Sequence, residues 1–309
     1  MCKEHIKALK QVIKGRNTLP ILKCIAHTNG KLIATDLTVM VQIDTPTIRD
    51  GIWSGEVLDM GFREELLSTE FTIEDYPELP ELTPIQELEL SGEDMEKILR
   101  AGEFISKDTT RPVLTGVAIV GDKVYGTDGY KMYRNAISNS VSEQVILPTE
   151  CIKVLKAVKA GKHNWTLDVY GEDQVAFKSG SITIFTKTIY GTLPQYEILL
   201  SNTKADTLTY IDLNETTGAK GYQLVIDREK GTTELYNPNT KQRINLGSGR
   251  VDTGNILYGD GAERNVVMPM AKTQKNTIAI DLDLLKPYAK KKVKLYNNPH
   301  NNQVEVEII

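Results

Sequence analysis

The chain contains two copies of one sequence pattern, placed 92 residues apart. The first copy runs through Thr-Leu-Pro-Ile-Leu at residues 18–22 and reaches Thr35-Asp36. The second runs through Arg-Pro-Val-Leu at residues 111–114 and reaches Thr127-Asp128. In both copies the proline and the threonine are fifteen residues apart. An internal repeat constrains the fold strongly, because each copy is one folding unit that packs against its neighbour.

Each copy combines helices with strands. Residues 3–16 have the helical period, with Ile6, Leu9 and Ile13 on one stripe and lysines on another. Short apolar strands follow, and Asn29-Gly30 predicts a hairpin turn between the first two. The second copy opens with a predicted helix from Ser91 to about Phe104. A further helix is expected over residues 148–161, followed by three strands that end at residue 187.

The first copy is shorter than the second. It spans 57 residues from Pro20 to Pro77, whereas the second spans 82 residues from Pro112 to Pro194. The difference of about twenty-five residues predicts the loss of roughly one helix and one strand. A third copy is weaker, with strand signals after residue 207 and a helix–strand–strand order over residues 278–307.

This organisation predicts an α+β fold of repeated domains, with antiparallel sheets on one side and helices on the other. A chain of 309 residues is long enough for several domain cores. Residues 75–87 carry three prolines and are expected to form a linker. The predicted domains are residues 1–86, shortened, residues 87–204, and residues 205–309, divergent.

The composition predicts a globular protein of the cytoplasm. The sequence has no apolar run that could span a membrane, and its charged start is not a signal peptide. Three scattered cysteines suit a reducing compartment. Cys24 and His27 form a lone Cys-x-x-His pair, so we expect no metal, a core cysteine and surface histidines. Phosphate-loop and nucleophile-elbow motifs are absent from the sequence, and neither a cofactor nor catalysis is predicted.

Charge is distributed unevenly, although the formal net charge is only −4. Residues 51–90 hold eleven acidic residues and one basic residue, while residues 286–294 hold five lysines and no acid. The predicted helices carry lysines on their exposed stripes. If the repeats lie side by side, these lysines share a surface that binds DNA phosphates without reading sequence. The residues expected to face DNA are Lys3, Lys7, Lys10, Lys14, Lys97, Arg100, Lys153, Lys156 and Lys159.

Several motifs together resemble the bacterial sliding clamp family, the beta subunit of DNA polymerase III. In the second copy they are Arg111-Pro-Val-Leu-Thr-Gly, Thr127-Asp-Gly-Tyr-Lys-Met132 and Gly191-Thr-Leu-Pro-Gln-Tyr196. The first copy's Thr-Leu-Pro-Ile-Leu and Thr-Asp-Leu are similar to the family's first domain. The resemblance covers residues 5–45 and 88–200 and is weak beyond residue 205.

The resemblance implies a ring of two chains that encircles duplex DNA and tethers a polymerase, with the helices facing a central channel. It also implies a hydrophobic pocket that binds short linear peptides of the replicative polymerase and the clamp loader. Apolar walls and a close backbone approach at a glycine suit such a pocket. Carried over motif by motif, the pocket residues are Leu114, Thr127, Gly129, Tyr130, Lys131, Met132, Pro194 and Leu199.

The sequence departs from the family pattern in three places. Tyr130-Lys131 replaces a His-Arg pair and Leu-Pro-Gln-Tyr replaces Phe-Pro-Asp-Tyr, so the peptide preference is expected to differ. The short first copy leaves part of the ring's lining and one subunit contact unaccounted for. Val266-Val-Met268-Pro-Met matches the family's C-terminal string but lies thirty-nine residues before the end. Either the last domain is rearranged and Val266 and Met268 line the pocket, or the string is an ordinary strand.

Three functions remain open from the sequence. The first is a non-enzymatic clamp, a processivity factor that holds DNA and docks polymerase peptides. The second is a docking module with the same fold that does not close a ring, which the short first copy favours. The third is a metal-dependent nuclease, whose carboxylates would have to come from the acidic run at residues 56–89.

Overall fold

The computed structural model describes most of the chain. The described residues are 2–14, 19–45, 48–78, 82–171, 173–195, 205–213, 221–227, 229–230, 232–247, 255–256, 264–267, 277–298 and 303–308. They divide into two compact units. The first unit is Met1–Gly102, Asp108–Val124 and Ile137–Thr192, and the second is Glu103–Lys107, Tyr125–Ala136 and Leu193–Ile309. These units follow spatial contacts and not the repeats, so the three-domain division remains a prediction.

The first repeat lies in the first unit. Its elements are α1 (Lys3–Ile13), β1 (Cys24–Thr28), β2 (Lys31–Thr35), β3 (Val39–Asp44), β4 (Gly51–Ser54) and α2 (Val57–Met60). Short 3-10 helices cover Pro20–Lys23, Glu64–Leu66 and Ile73–Asp75. Asn29 and Gly30 have φ values of 50° and 71°, which confirms the predicted tight hairpin between β1 and β2.

The second repeat has a longer set of elements. They are β5 (Gln86–Leu90), α3 (Gly92–Ala101), β6 (Val117–Val120), β7 (Lys123–Thr127), β8 (Lys131–Ala136), β9 (Val145–Leu147), α4 (Thr149–Ala157), β10 (Trp165–Tyr170), β11 (Gln174–Ser179) and β12 (Ile182–Lys187). Ser91 caps α3 in a reciprocal capping box with Asp94, and Met95 and Ile98 are fully buried beneath it. The amphipathic pattern therefore predicted the helices α1, α3 and α4 at their observed positions.

The first unit is built on an eight-stranded antiparallel sheet with the order β4-β1-β2-β3-β12-β11-β10-β5. Four strands come from each repeat. We call β4-β1-β2-β3 half-sheet A and β12-β11-β10-β5 half-sheet B. The halves join where β3 pairs with β12, and there Val41 lies opposite Ile184, both with no exposed surface.

Helices cover one face of this sheet. Ala8, Leu9 and Val12 of α1 are buried, and α1 packs on β2, β3 and α4. Burial of a fully enclosed aliphatic side chain contributes about 1.5–3 kcal/mol, so this stripe, rather than intrinsic helix propensity, holds an eleven-residue helix in place. The α+β layer arrangement expected from the sequence is confirmed in this unit.

The first repeat is shortened differently from the prediction. The sequence predicted that it lacks one helix and one strand. A single helical turn, α2, stands where the second repeat has α4, and the described residues of the first repeat hold no equivalents of β10, β11 and β12. Between α2 and β5, the described residues hold only two 3-10 helices and an isolated bridge between Trp53 and Leu67. The length difference between the two repeats shows how many residues the first repeat lacks, but not which helices or strands they would form.

The second unit contains the third repeat. Its strands are β13 (Ala205–Asp212), β14 (Gln223–Asp227), β15 (Thr232–Tyr236), β16 (Arg243–Gly247), β17 (Asn255–Ile256), β18 (Arg264–Val267), β19 (Thr277–Asp281), β20 (Lys292–Asn298) and β21 (Gln303–Ile308). The predicted helix near residue 285 is a 3-10 helix, Leu282–Tyr288, which contains Pro287. A proline inside the segment disfavours a regular α-helix there.

The third repeat has counterparts of both half-sheets. Its half-sheet A is the separate four-stranded sheet β19-β14-β15-β16. Its half-sheet B is β13-β20-β21-β18, and β18 pairs with β8 of the second repeat. The edge strand β17 pairs with β13. The pairings of β13 with β20, of β14 with β15 and of β18 with β21 are antiparallel.

Candidate functional site

The motif Thr127–Met132 forms a tight turn that leads into β8. The Thr127 hydroxyl donates to the carbonyl of Lys131 at 2.8 Å and accepts from the amide of Gly129 at 3.0 Å. The Asp128 carboxylate accepts from the amides of Tyr130 and Lys131, both at 2.9 Å. Gly129 has φ 90°, a conformation that favours glycine. The Thr-Asp-Gly sequence therefore forms a turn that is stabilised by side-chain hydrogen bonds to the backbone.

The turn exposes an aromatic ring and shields a charge. The side chain of Tyr130 is 64% exposed, which is unusual for so large a group. The Lys131 ammonium forms an ion pair with Asp128, and its side chain is only 12% exposed. Met132 is buried at the start of β8. The turn therefore offers a partner an aromatic contact and no unpaired cation at Lys131.

The structure brings together some of the predicted pocket residues. Thr127 to Met132 share the turn, and Met132 lies opposite Val266 in the pairing of β8 with β18. Pro194 is exposed in the second unit, next to the buried Leu193. Leu114 is buried in a 3-10 helix of the first unit. Leu199 and Met268 lie outside the described residues.

Strand β18 contains Val266 of the Val-Val-Met-Pro-Met string. In the first sheet, β12 lies between β11 and β3. In the second unit, β18 lies between β21 and β8, which is the equivalent place. Yet β18 precedes β20 and β21 in the chain, whereas β12 follows β10 and β11. The last repeat therefore differs in strand order, and Val266 is paired with Met132. That Val266 and Met268 line a pocket stays a prediction.

The predicted DNA-facing residues lie on three helices of the first unit or follow them directly. Lys3, Lys7, Lys14, Lys153 and Lys156 are exposed on or beside α1 and α4, which pack against each other. Lys10, Lys97 and Lys159 form ion pairs with Asp59, Glu93 and Glu4 respectively. Arg100 is half-buried on α3. The α1–α4 surface therefore carries the exposed lysines that the pattern predicted, although some of the predicted cations have acidic partners.

One of these ion pairs links the two helices and was not predicted from the sequence. The Lys159 ammonium, just after α4, donates to the Glu4 carboxylate at the start of α1 over 3.0 Å. This hydrogen bond lowers the pKa of Glu4 to about 2. The partners are 155 residues apart, so no local pattern could indicate their contact.

His27 corrects the expectation of surface histidines. Its ring is 1% exposed, and both ring nitrogens are bound, one to the Asp50 carboxylate and one to the Thr45 carbonyl, each at 2.8 Å. Cys24 is half-buried and burial raises the pKa of its thiol. No set of three or more His, Cys, Asp or Glu side chains within the described ranges is arranged to hold a metal ion. In that same part of the chain, no helix is long and apolar enough to cross a membrane.

The similar proteins found by sequence comparison include bacterial beta sliding clamps. No protein family model matches the sequence. A beta sliding clamp of Streptococcus pneumoniae is 25% identical over 150 residues, which cover 46% of this chain and only 40% of the relative. A beta sliding clamp of Staphylococcus epidermidis is 23% identical over 305 residues, which cover 81% of each chain.

Solved structures match over nearly the whole chain. A sliding clamp of Pseudomonas aeruginosa bound to griselimycin has a TM-score of 0.68 at 14% identity, covering 99% of this chain and 95% of that one. A putative DNA polymerase III beta subunit of Eubacterium rectale has a TM-score of 0.66 at 15% identity, covering 99% and 96%. The chain therefore has the sliding-clamp fold, and its sequence is similar to those of bacterial beta sliding clamps.

Proposed function

We propose that this chain is a DNA sliding clamp, a non-catalytic processivity factor for a replicative polymerase. It holds duplex DNA without sequence preference, against the lysines of α1 and α4, in the cytoplasm. The whole-chain match to sliding-clamp structures is the observation that carries this proposal. The relatives favour a clamp over a nuclease, because those found by sequence are beta sliding clamps. Closure of a ring by two chains is part of the proposal.

The DNA-binding part rests on the exposed lysines of the α1–α4 surface. Lys7 on α1 and Lys153 on α4 are both exposed to solvent. Lysine ammoniums contact phosphates as point charges, and each contact releases a counterion. The acidic protein as a whole, with net charge −4, gives no general attraction to DNA. Binding therefore depends on this surface.

A charge-reversal experiment tests the DNA-binding part. The double variant Lys7→Glu/Lys153→Glu is expected to weaken binding to a linear duplex by roughly tenfold or more, and to flatten its salt dependence. Fluorescence anisotropy over a salt series measures both. The matched control is Lys31→Glu/Lys187→Glu, because both lysines are exposed on sheet strands of the same unit. Equal losses in the two variants would reject the α1–α4 surface as the DNA contact.

The peptide-docking part rests on the turn Thr127–Met132 and on β18. The proposed site combines the exposed Tyr130 ring with Met132, whose thioether adapts to varied partners. The Pseudomonas aeruginosa clamp binds griselimycin, so this compound is a direct probe for the site. The intended partners are short linear peptides of the polymerase and the clamp loader.

Paired alanine variants locate this site. Tyr130→Ala and Met132→Ala are each expected to weaken griselimycin binding by roughly tenfold, because each removes apolar contact area. Isothermal titration calorimetry measures the affinity. Met40→Ala is the matched control, since Met40 is the equivalent residue of the first repeat, 92 positions earlier. A loss in the control alone would move the site to the first repeat, and no loss in any variant would contradict a site at either turn.

A further inference from the structure

A groove of about 350 Å³ lies on one face of half-sheet A in the first repeat. The strands β1, β2 and β3 each contribute an apolar side chain to its lining, namely Ala26, Ile33 and Met40. Because side chains alternate along a strand, these residues lie on the face opposite the fully buried Leu32 and Val41. Ligand sites are concave and mostly apolar, with volumes of about 300–1,000 Å³. This groove therefore has the size and the lining of a binding site.

One wall of the groove comes from residues 73–78, and hydrogen bonds hold this segment in place. The hydroxyl of Tyr76, whose side chain lines the wall, donates to the Cys24 carbonyl on β1 at 3.2 Å. The amide and the hydroxyl of Thr72 donate to the Asp75 carboxylate at 2.8 and 2.9 Å, in a reciprocal capping box. A wall that is ordered before a ligand arrives lowers the entropy cost of binding.

The charge of this wall differs between the two repeats. Residues 70–78 hold four exposed acidic side chains and no basic one, whereas the equivalent residues 187–195 of the second repeat hold one lysine and no acid. The equivalence follows from the proline that ends each repeat. A hydrogen bond from a backbone amide lowers the pKa of Glu74 and of Asp75, so both carboxylates stay ionised at neutral pH. Lys31 also lines the groove, but the acids of the wall outnumber it.

We propose that this groove is a second docking site, and that it binds a linear peptide with a lysine or arginine beside an aromatic or aliphatic residue. The apolar side chain of the peptide packs between Ile33, Met40 and Tyr76, and its cation lies against the acidic wall. The preference for a cationic peptide is specific to the first repeat, because the second repeat lacks these acids. The groove lies entirely within the first unit, so the proposal needs neither DNA nor a closed ring.

Selection from a phage-displayed library of random dodecapeptides tests the proposal. The full chain is the bait, and the variant Ile33→Lys serves for counter-selection, because its ammonium places a positive charge inside the groove. Peptides that bind the unchanged chain but not the variant are expected to carry a lysine or arginine beside an aromatic or aliphatic residue. Selected peptides without a cationic residue would overturn the proposal, as would a library from which no peptide distinguishes the two chains.

Charge reversal at exposed positions makes the test independent of folding. A selected peptide, synthesised with a fluorescent label, should bind Glu74→Lys/Glu78→Lys roughly tenfold more weakly than the unchanged chain, and added salt should narrow that difference. Fluorescence anisotropy measures both effects. The matched control Glu56→Lys/Glu65→Lys reverses two exposed acids of the same repeat that do not line the groove, and it should lose much less affinity. Equal losses in the two double variants would overturn the proposal. Griselimycin binding should be the same in both, so failure of this groove is distinguishable from failure of the site at Thr127–Met132.

Discussion

The two repeats contain the same turn built on different residues. In the first, the Thr35 hydroxyl donates to the Val39 carbonyl at 3.0 Å, and the Asp36 carboxylate accepts the amides of Thr38 and Val39. The second has the same bonds from Thr127 and Asp128. The residue after the aspartate differs: it is Leu37, with φ 73°, in the first and Gly129, with φ 90°, in the second.

This difference distinguishes the residues that stabilise the turn from the residue that controls access to its backbone. The hydrogen bonds depend on threonine and aspartate, and both repeats keep them. A leucine at positive φ is strained, and 51% of its side chain is exposed over the first turn. Glycine in the second turn removes that strain and leaves the backbone open to close approach. We infer that Leu37 closes the first turn to ligands, and that Gly129 keeps the second turn open.

Removing the aspartates should have the largest effect on stability. Asp36→Ala is expected to lower the free energy of unfolding by about 2 kcal/mol, because two backbone amides lose a charged acceptor. Asp128→Ala should cost more, about 3 kcal/mol, since Lys131 also loses its partner. Urea denaturation followed by circular dichroism measures both. Asp36→Asn retains an acceptor oxygen and should cost less, and equal effects of the alanine and asparagine variants would contradict this account.

Exchanging the residue that follows the aspartate, Leu37 or Gly129, should change the free energy of unfolding less than removing the aspartate. The change should have opposite signs in the two repeats. Gly129→Leu is expected to destabilise the chain by about 1–2 kcal/mol, because leucine is strained at positive φ. Leu37→Gly removes such strain, so its effect should lie between zero and a gain of about 1 kcal/mol. Thermal unfolding of both variants checks the signs. Gly129→Leu should also abolish griselimycin binding, and retained binding would show that the glycine is not what opens the second turn.

The smallest expected change in stability concerns the first helix of each repeat, α1 and α3. The α3 helix has an Asp94 capping box, whereas α1 has no side-chain cap. Burial raises the pKa of Asp94, but hydrogen bonds from Ser91 and Ser138 outweigh burial and hold it below its usual value. A carboxylate with a lowered pKa stabilises the fold above its unfolded pKa, about 3.9, and this contribution is lost as pH falls through the folded pKa.

Asp94→Asn should therefore cost about 1 kcal/mol at neutral pH and flatten the loss of stability below about pH 4. Urea midpoints measured from pH 2 to 7 would show it. Glu4→Gln provides the contrast on α1. Its ion pair with Lys159 is solvent-exposed, so its effect should be smaller and should disappear at high salt. A salt-insensitive effect at Glu4 would contradict that contrast.

The sequence predicts local features of this protein better than its long-range ones. The helices α1, α3 and α4 and the Asn29-Gly30 hairpin follow from apolar period, caps and turn residues, which act within a few positions. The Glu4–Lys159 pair, the burial of His27 and the position of β18 depend on contacts between distant segments. The Val266 string was visible in the sequence, but its place between β21 and β8 was set by pairing partners far along the chain. For the proposed site, the sequence predicted the turn at Thr127–Met132 but left open whether the Val266 string lies beside it.

The rearranged position of β18 has a consequence for how the protein folds as it is synthesised. Strand β8 ends at residue 136, but its partner β18 leaves the ribosome about 130 residues later, and β21 on the other side of β18 comes later still. Pairings with such wide sequence separation fold slowly, because the loop must close before the contacts form. The sheet of the first unit needs nothing beyond residue 187, so it can form first. The proposed peptide site would then be completed last, after almost the whole chain has been made.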